Sequence, residues 1–201
     1  MSWIKEVSYE QASGKLKKLY DRVKGPDNNV DNIMLAHSLR PHTMEGHMTL
    51  YKNTLHHFGN QIDKWFLEAL GVYTSLLNEC HYCVDHHFAG MARLLGDQAR
   101  ADLMKQSLIQ ETYLDAFSAK QAAALTYSKL LTRSASSLTA SHIETLRQQG
   151  WDDGEILEIN QVVAYFNYAN RTVLGLGVNT DGDILGLSPN ASDDPDAWNH
   201  S

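Results

Sequence analysis

The sequence predicts an all-α fold. Three observations carry this expectation. Almost every periodic segment repeats its apolar residues at helical spacing, Gly, Pro, Asn and Asp punctuate those segments as start and stop signals, and no convincing run alternates as a strand would. With 201 residues the chain can build one good-sized core.

The elements follow in order. Residues 8–24 open with Ser8-x-x-Gln11, a capping-box pattern, and stop before Gly25-Pro26. Residues 25–32 are turn-rich. Two helices are expected at about 31–39 and 41–58, with Pro41 acceptable in the first turn of the second and Gly59 closing it. Asp63 opens KWFLEALGVYTSLL, whose apolar positions cover most of its circumference, as in a helix buried on several sides. The decapeptide NECHYCVDHH (78–87) comes next, then FAGMARLLGD, in which Gly96 reads as a C-cap. Segments 98–110, 119–131 and 139–149 read as further helices, and Asp152/Asp153 cap a long one from 154 to about 175. Residues 179–201 are acidic and rich in Gly, Pro and Ser, and are expected to be irregular. The expected division is a helical domain over 1–180 and an irregular acidic tail over 181–201.

A weak internal echo links 67–80 (LEALGVYTSLLNEC) to 157–170 (LEINQVVAYFNYAN). Val72 pairs with Val162, Leu76 with Phe166, and Asn170 stands where Cys80 does. A degenerate internal duplication would produce this, and so would two unrelated buried helices.

The net charge of −7 argues against a general nucleic-acid or anionic-membrane binder. The basic residues Lys15, Lys17, Lys18 and Arg22 read as the solvated face of the first helix. No stretch approaches the ~18 to 20 apolar residues of a membrane span. The opening MSWIKEVSYEQ has no basic start followed by an apolar run, so a cytoplasmic location is expected. In that compartment a lone cysteine pair points to catalysis or metal binding rather than to a structural staple.

NECHYCVDHH holds both cysteines of the chain and three of its ten histidines. If Asn78 caps a helix that starts at Glu79, then Cys80, Cys83 and His87 share one face, while His81, Tyr82, Asp85 and His86 lie off it. Two thiols one turn apart can close a disulfide. A reactive thiol must ionise, and two devices are at hand. The helix N-terminus favours a thiolate at Cys80, whereas His87 can act as base toward Cys83, so the two nominate different nucleophiles. Glu68, on the preceding apolar helix, either orients the base or sits in a salt bridge or at a half-exposed edge. Glu79 and Asp85 read as solvated or helix-supporting, and Trp65 and Tyr73 as core. Asn170-Arg171 reads as a capping or intersubunit feature or an anion site. The competing metal reading takes Cys80, Cys83, His87 and one of His37, His42, His47, His56 or His57 as zinc ligands. It is weakened because structural zinc sites gather ligand pairs from separated segments.

Glu68, then Cys80-His81-Tyr82-Cys83, then His87, resembles the E-(x)11-C-x-x-C-x-x-x-H pattern of alkylhydroperoxidase D-like proteins, within the wider carboxymuconolactone decarboxylase family. The flanks of NECHYCVDHHFAG, the closing segment VVAYFNYANRTVLGLGV and the start, with Trp3-Ile4 and GKLKKLYDRVKG, are similar to the subgroup called peroxidase-related proteins. The resemblance implies an all-helical, cofactor-free enzyme whose thiols reduce an organic hydroperoxide or hydrogen peroxide. It implies Cys83 as the attacking thiol, Cys80 as the resolving one, His87 as base and Glu68 as its relay. It also implies a dithiol reductant protein or small thiol as partner and assembly as a homo-oligomer. Tyr82 departs from the best-known members, which carry a second His there. Two alternatives stand beside this expectation: the family's cysteine-free lactone decarboxylation, and a non-enzymatic redox-sensing or metal-holding helical protein.

Overall fold

The computed structural model describes residues 2–189, 194 and 197–200. Among them nine α-helices follow one another: α1 (Gly14–Val23), α2 (Asn32–Ala36), α3 (Pro41–Tyr51), α4 (Lys64–Leu77), α5 (His81–Leu95), α6 (Gln98–Gln110), α7 (Ala119–Ser134), α8 (Ala140–Gln148) and α9 (Asp153–Leu176). No strand forms among the described residues, which contain only an isolated antiparallel bridge between Pro189 and His200. The all-α expectation holds.

Most boundaries sit where the punctuation puts them. Gly96 ends α5 in the left-handed conformation at φ 62°, and Asp152 with Glu155 closes a capping box on α9. Helix α2 ends at Ala36 instead of about 39 and α7 runs to Ser134 instead of 131, and three further boundaries differ for a tertiary reason. Helix α1 begins after Ser13 rather than at Ser8, because Tyr9 folds back to stack on Tyr20 and donate to Asp21 at 2.6 Å. Helix α3 stops at Tyr51 and continues as a π turn, Lys52–His56, that buries Lys52, Thr54, Leu55 and His56. Asn78 does not cap α5. It ends α4, and its amide donates to Asn167 at 3.1 Å and Asn170 at 3.0 Å, while Glu79 turns the chain at φ 58°. The N-cap of α5 is therefore Cys80 itself.

Helix α4 is the axis of the core. Phe66, Leu67, Leu70, Val72 and Tyr73 are buried on all sides of it by α5, α7 and α9. Removing each such side chain from water stabilises the fold by roughly 1.5–3 kcal/mol. Gly71 is where α9 comes closest: a Cβ there would lie 2.2 Å from the Phe166 ring. This close approach draws Glu68, one turn earlier on α4, into the interior beside α5.

Residues 178–189 and 197–200, after α9, are irregular but packed. Trp198 is buried beneath the Arg22 guanidinium, which sits 3.7 Å from its ring, and His200 is buried with Nδ1 2.6 Å from the Val23 carbonyl. Lys52 donates to the Ala197 carbonyl at 2.8 Å. Composition pointed only to irregular backbone; residues 190–193, 195–196 and 201 of that segment lie outside the described ones.

Candidate active site

The turn at Glu79 and the start of α5 deliver the two thiols. Both cysteines are reduced and buried. As the N-cap, Cys80 faces the positive end of α5 more directly than a first-turn residue would. As a neutral thiol it makes no capping hydrogen bond, but its charged form is well supported. The Cys83 thiol, first, and then the Cys83 N–H and the Asn170 amide hold Cys80 below the usual thiol range, against burial. Cys83 is pushed well above that range, first by sharing its proton with Cys80 and then by burial. The first proton to leave the pair therefore leaves Cys80.

One turn along α5, His87 places Nδ1 2.7 Å from Glu68 Oε2. Burial would raise the Glu68 carboxyl, but the charge and hydrogen bond of His87, with smaller contributions from His56 and Arg93, hold it below its usual value. An ionised Glu68 accepts the Nδ1–H, which orients the ring and leaves Nε2 as the nitrogen that can exchange a proton. The His87 ring is also braced edge-on by Phe166 at 4.5 Å and by Tyr51 at 6.1 Å. Gly90 makes room for this pair, since a Cβ there would stand 3.6 Å from the Glu68 carboxyl.

Cys83, His87 and Glu68 line one small cavity of about 40 Å³, whereas Cys80 lies behind Cys83 and does not line it. On this measure a water needs roughly 10–15 Å³, so the cavity holds about three water-sized groups. Tyr51, Tyr165 and His47 form an aromatic wall. Burial raises both phenols well above their usual range and lowers His47 to about 3, so all three are neutral. His56 is likewise lowered to about 3 by burial, so its 3.7 Å approach to Glu68 is not an ion pair.

The structure thus gathers all four sequence-nominated residues, Glu68, Cys80, Cys83 and His87. It adds residues that the sequence reading had not placed at the site. Asn170, buried on α9, bonds Ser75 at 3.0 Å and its amide favours the thiolate form of either cysteine. Its one signal was the echo that aligned it with Cys80. His86, placed off the reactive face by helical spacing, lines the same cavity with Nε2 3.1 Å from Asp183. The Tyr82 hydroxyl donates to the same carboxylate at 2.8 Å. His81 is exposed, Tyr73 is buried against Tyr113, and neither Tyr73 nor Trp65 lines the cavity. No group of three or more His, Cys, Asp or Glu side chains among the described residues is arranged to hold a metal ion.

No protein-family model matches the chain, nor does any curated protein. Solved structures do. An uncharacterized peroxidase-related protein from Ralstonia eutropha JMP134, described as an alkylhydroperoxidase AhpD core, superposes with a TM-score of 0.75 at 20% identity, over 90% of this chain and 93% of that one. An uncharacterized peroxidase-related protein from Silicibacter sp. TM1040 gives 0.69 at 23% identity, over 77% and 78%. The debrominase Bmp8, in complex with 2,3,4-tribromopyrrole, gives 0.69 at 16% identity, over 90% and 95%. The fold is the alkylhydroperoxidase D-like fold.

Proposed function

We propose that this chain is a thiol-dependent hydroperoxide reductase. The supporting observation is a single cavity lined by both Cys83 and His87, with Nδ1 of the latter held by a buried Glu68. The ionisation order of the pair supplies a resolving thiolate at Cys80 and requires Cys83 to give up its proton before it attacks. Cys83 passes its proton to the Cys80 thiolate or to His87, and the Cys83 thiolate attacks the peroxide. The O–O bond breaks, Cys83 becomes a sulfenic acid, and the alkoxide or hydroxide takes the proton back from whichever group received it, Cys80 or His87, which leaves Cys80 as a thiolate. The Cys80 thiolate, stabilised by Asn170 and the Cys83 N–H, then attacks Cys83. The disulfide forms and the sulfenic oxygen leaves as water once protonated. A dithiol reductant protein or two small thiols reset the pair by attack on Cys83, the sulfur that lines the cavity. Cys80, the sulfur with the lower pKa, is the better leaving group. No cofactor is required by these steps. The reading includes a homo-oligomer, which light scattering on the purified protein tests. Among the described residues no helix is long and apolar enough to cross a membrane.

Cys83→Ser tests the assignment. Hydroperoxide consumption with a dithiol donor is expected to fall to background, and retention at the wild-type rate removes Cys83 from the attacking role. Muconolactone turnover would instead support the lactone decarboxylase alternative. Stoichiometric zinc with no peroxide turnover would support a redox-sensing or metal-holding protein.

A further inference from the structure

We propose that residues 179–189, after α9, form a strap over the thiol cavity, and that Asp183 latches it so that only small hydroperoxides reach Cys83. This rests on the hydroperoxide reading for its substrate class and on geometry alone for the roof. Leu187 and Ser188 line the cavity, as does His200 further along the chain.

The strap is held by a few polar contacts rather than by a deep apolar face. Asn32 donates its side-chain amide to the carbonyls of Asn179 and Asp181, at 2.8 and 3.0 Å. Asp183 is the hub. Its carboxylate is nearly solvent-free and accepts from the Asn32 N–H at 3.0 and 3.1 Å, the Tyr82 hydroxyl at 2.8 Å and His86 Nε2 at 3.1 Å. Every partner is a donor, so the site selects a carboxylate and would place the amide of an asparagine against donors. Gly186, at φ 80°, then presses on α5, where a Cβ would lie 3.0 Å from the Ala89 Cβ and 3.2 Å from the Gly90 N. Only glycine meets both demands. Ile184 and Leu185, just before this contact, are 39% and 44% exposed. A segment with little buried apolar surface opens locally more readily than the core.

With the strap in place the cavity of about 40 Å³ has room for a few water-sized groups, enough for hydrogen peroxide and less than an aryl hydroperoxide needs. Opening the strap admits the larger molecule. The proposal makes Asp183 and Gly186 determinants of specificity acting through the strap, not groups that touch the peroxide.

The test uses the full-length protein and two variants, Asp183→Asn and Gly186→Ala. Thiol alkylation is followed by mass spectrometry with a small reagent (iodoacetamide) and a bulky one (fluorescein maleimide), alongside turnover of hydrogen peroxide and cumene hydroperoxide. Losing hydrogen bonds to a charged group should raise the bulky-to-small alkylation ratio by about tenfold to a hundredfold, with a parallel rise in the cumene-to-hydrogen-peroxide ratio. Equal rises for both reagents, or no change in folded variants, overturn the strap. If a variant fails to fold, hydrogen exchange on the wild type decides: amides of 179–189 are expected to exchange faster than those of α4 and α5, and equal protection overturns the proposal. Alkylation is independent of peroxide chemistry. A shifted alkylation ratio in a protein that turns over no peroxide keeps the strap and rejects the reductase, and an active reductase with an unshifted ratio does the reverse.

Discussion

Burying His56 uncharged should make the fold acid-labile, and one substitution isolates its share. His56 is lowered from 6.5 to about 3, first by burial and then by the balance between Glu68, which raises it, and His87, His200 and Lys64, which lower it. Between those two values the unfolded chain binds a proton that the folded chain refuses. Stability therefore falls as pH drops through 6.5, the loss is complete below about 3, and nothing changes above 6.5. Each pKa unit corresponds to about 1.36 kcal/mol, so the whole shift is worth roughly 5 kcal/mol for this fully buried group. Its Nε2 has no hydrogen-bond partner, and the ring sits edge-on to Tyr51 at 4.7 Å, so His56→Phe keeps the shape and removes the titration. Urea unfolding at pH 6 and pH 5 measures the effect. The wild-type stability should fall by slightly over 1 kcal/mol more across that unit than the variant's does, with other groups cancelling in the difference. Identical pH slopes in the two proteins would refute the assignment of a buried neutral His56.

Other outcomes follow from the same geometry. Glu68→Gln removes the charge that polarises His87, and peroxide turnover should fall by about 10²–10⁴-fold while circular dichroism stays unchanged; wild-type kcat would exclude the relay. Asn170→Ala withdraws a donor that favours the Cys80 thiolate, so the pH midpoint of thiol alkylation should move upward, and a fixed midpoint would deny Asn170 that role. Gly71→Ala forces a Cβ to within 2.2 Å of the Phe166 ring and should cost about 1–3 kcal/mol by overpacking, read as a lower urea midpoint; an unchanged midpoint would mean that α9 yields freely.

Much of the site was legible because helical spacing is local. Cys80, Cys83 and His87 reach one face by rotation along the chain, and an acidic residue in the apolar run of α4 needs a partner. The start of α5 was misread because Asn78 has a typical capping side chain, yet α9 offers its amide better partners in Asn167 and Asn170. His86 was set aside for the same local reason. Helical phase puts it off the face, and only the return of the chain at Asp183, 97 residues later, makes it part of the cavity. The strap was hidden for a compositional reason. Asn179, Asp181 and Asp183 read as a solvated acidic stretch until Asn32, Tyr82 and His86 are seen to converge on them. Long-range polar contacts of this kind leave no periodicity in a single sequence.

The most direct test of the dithiol chemistry is a count of free thiols, with intact mass, before and after one equivalent of hydrogen peroxide. Loss of both thiols, with the mass of an intramolecular Cys80–Cys83 disulfide, is the expected result, and a reductant should restore them. Two thiols still free after the peroxide has been consumed, or peroxide left unconsumed, would contradict it.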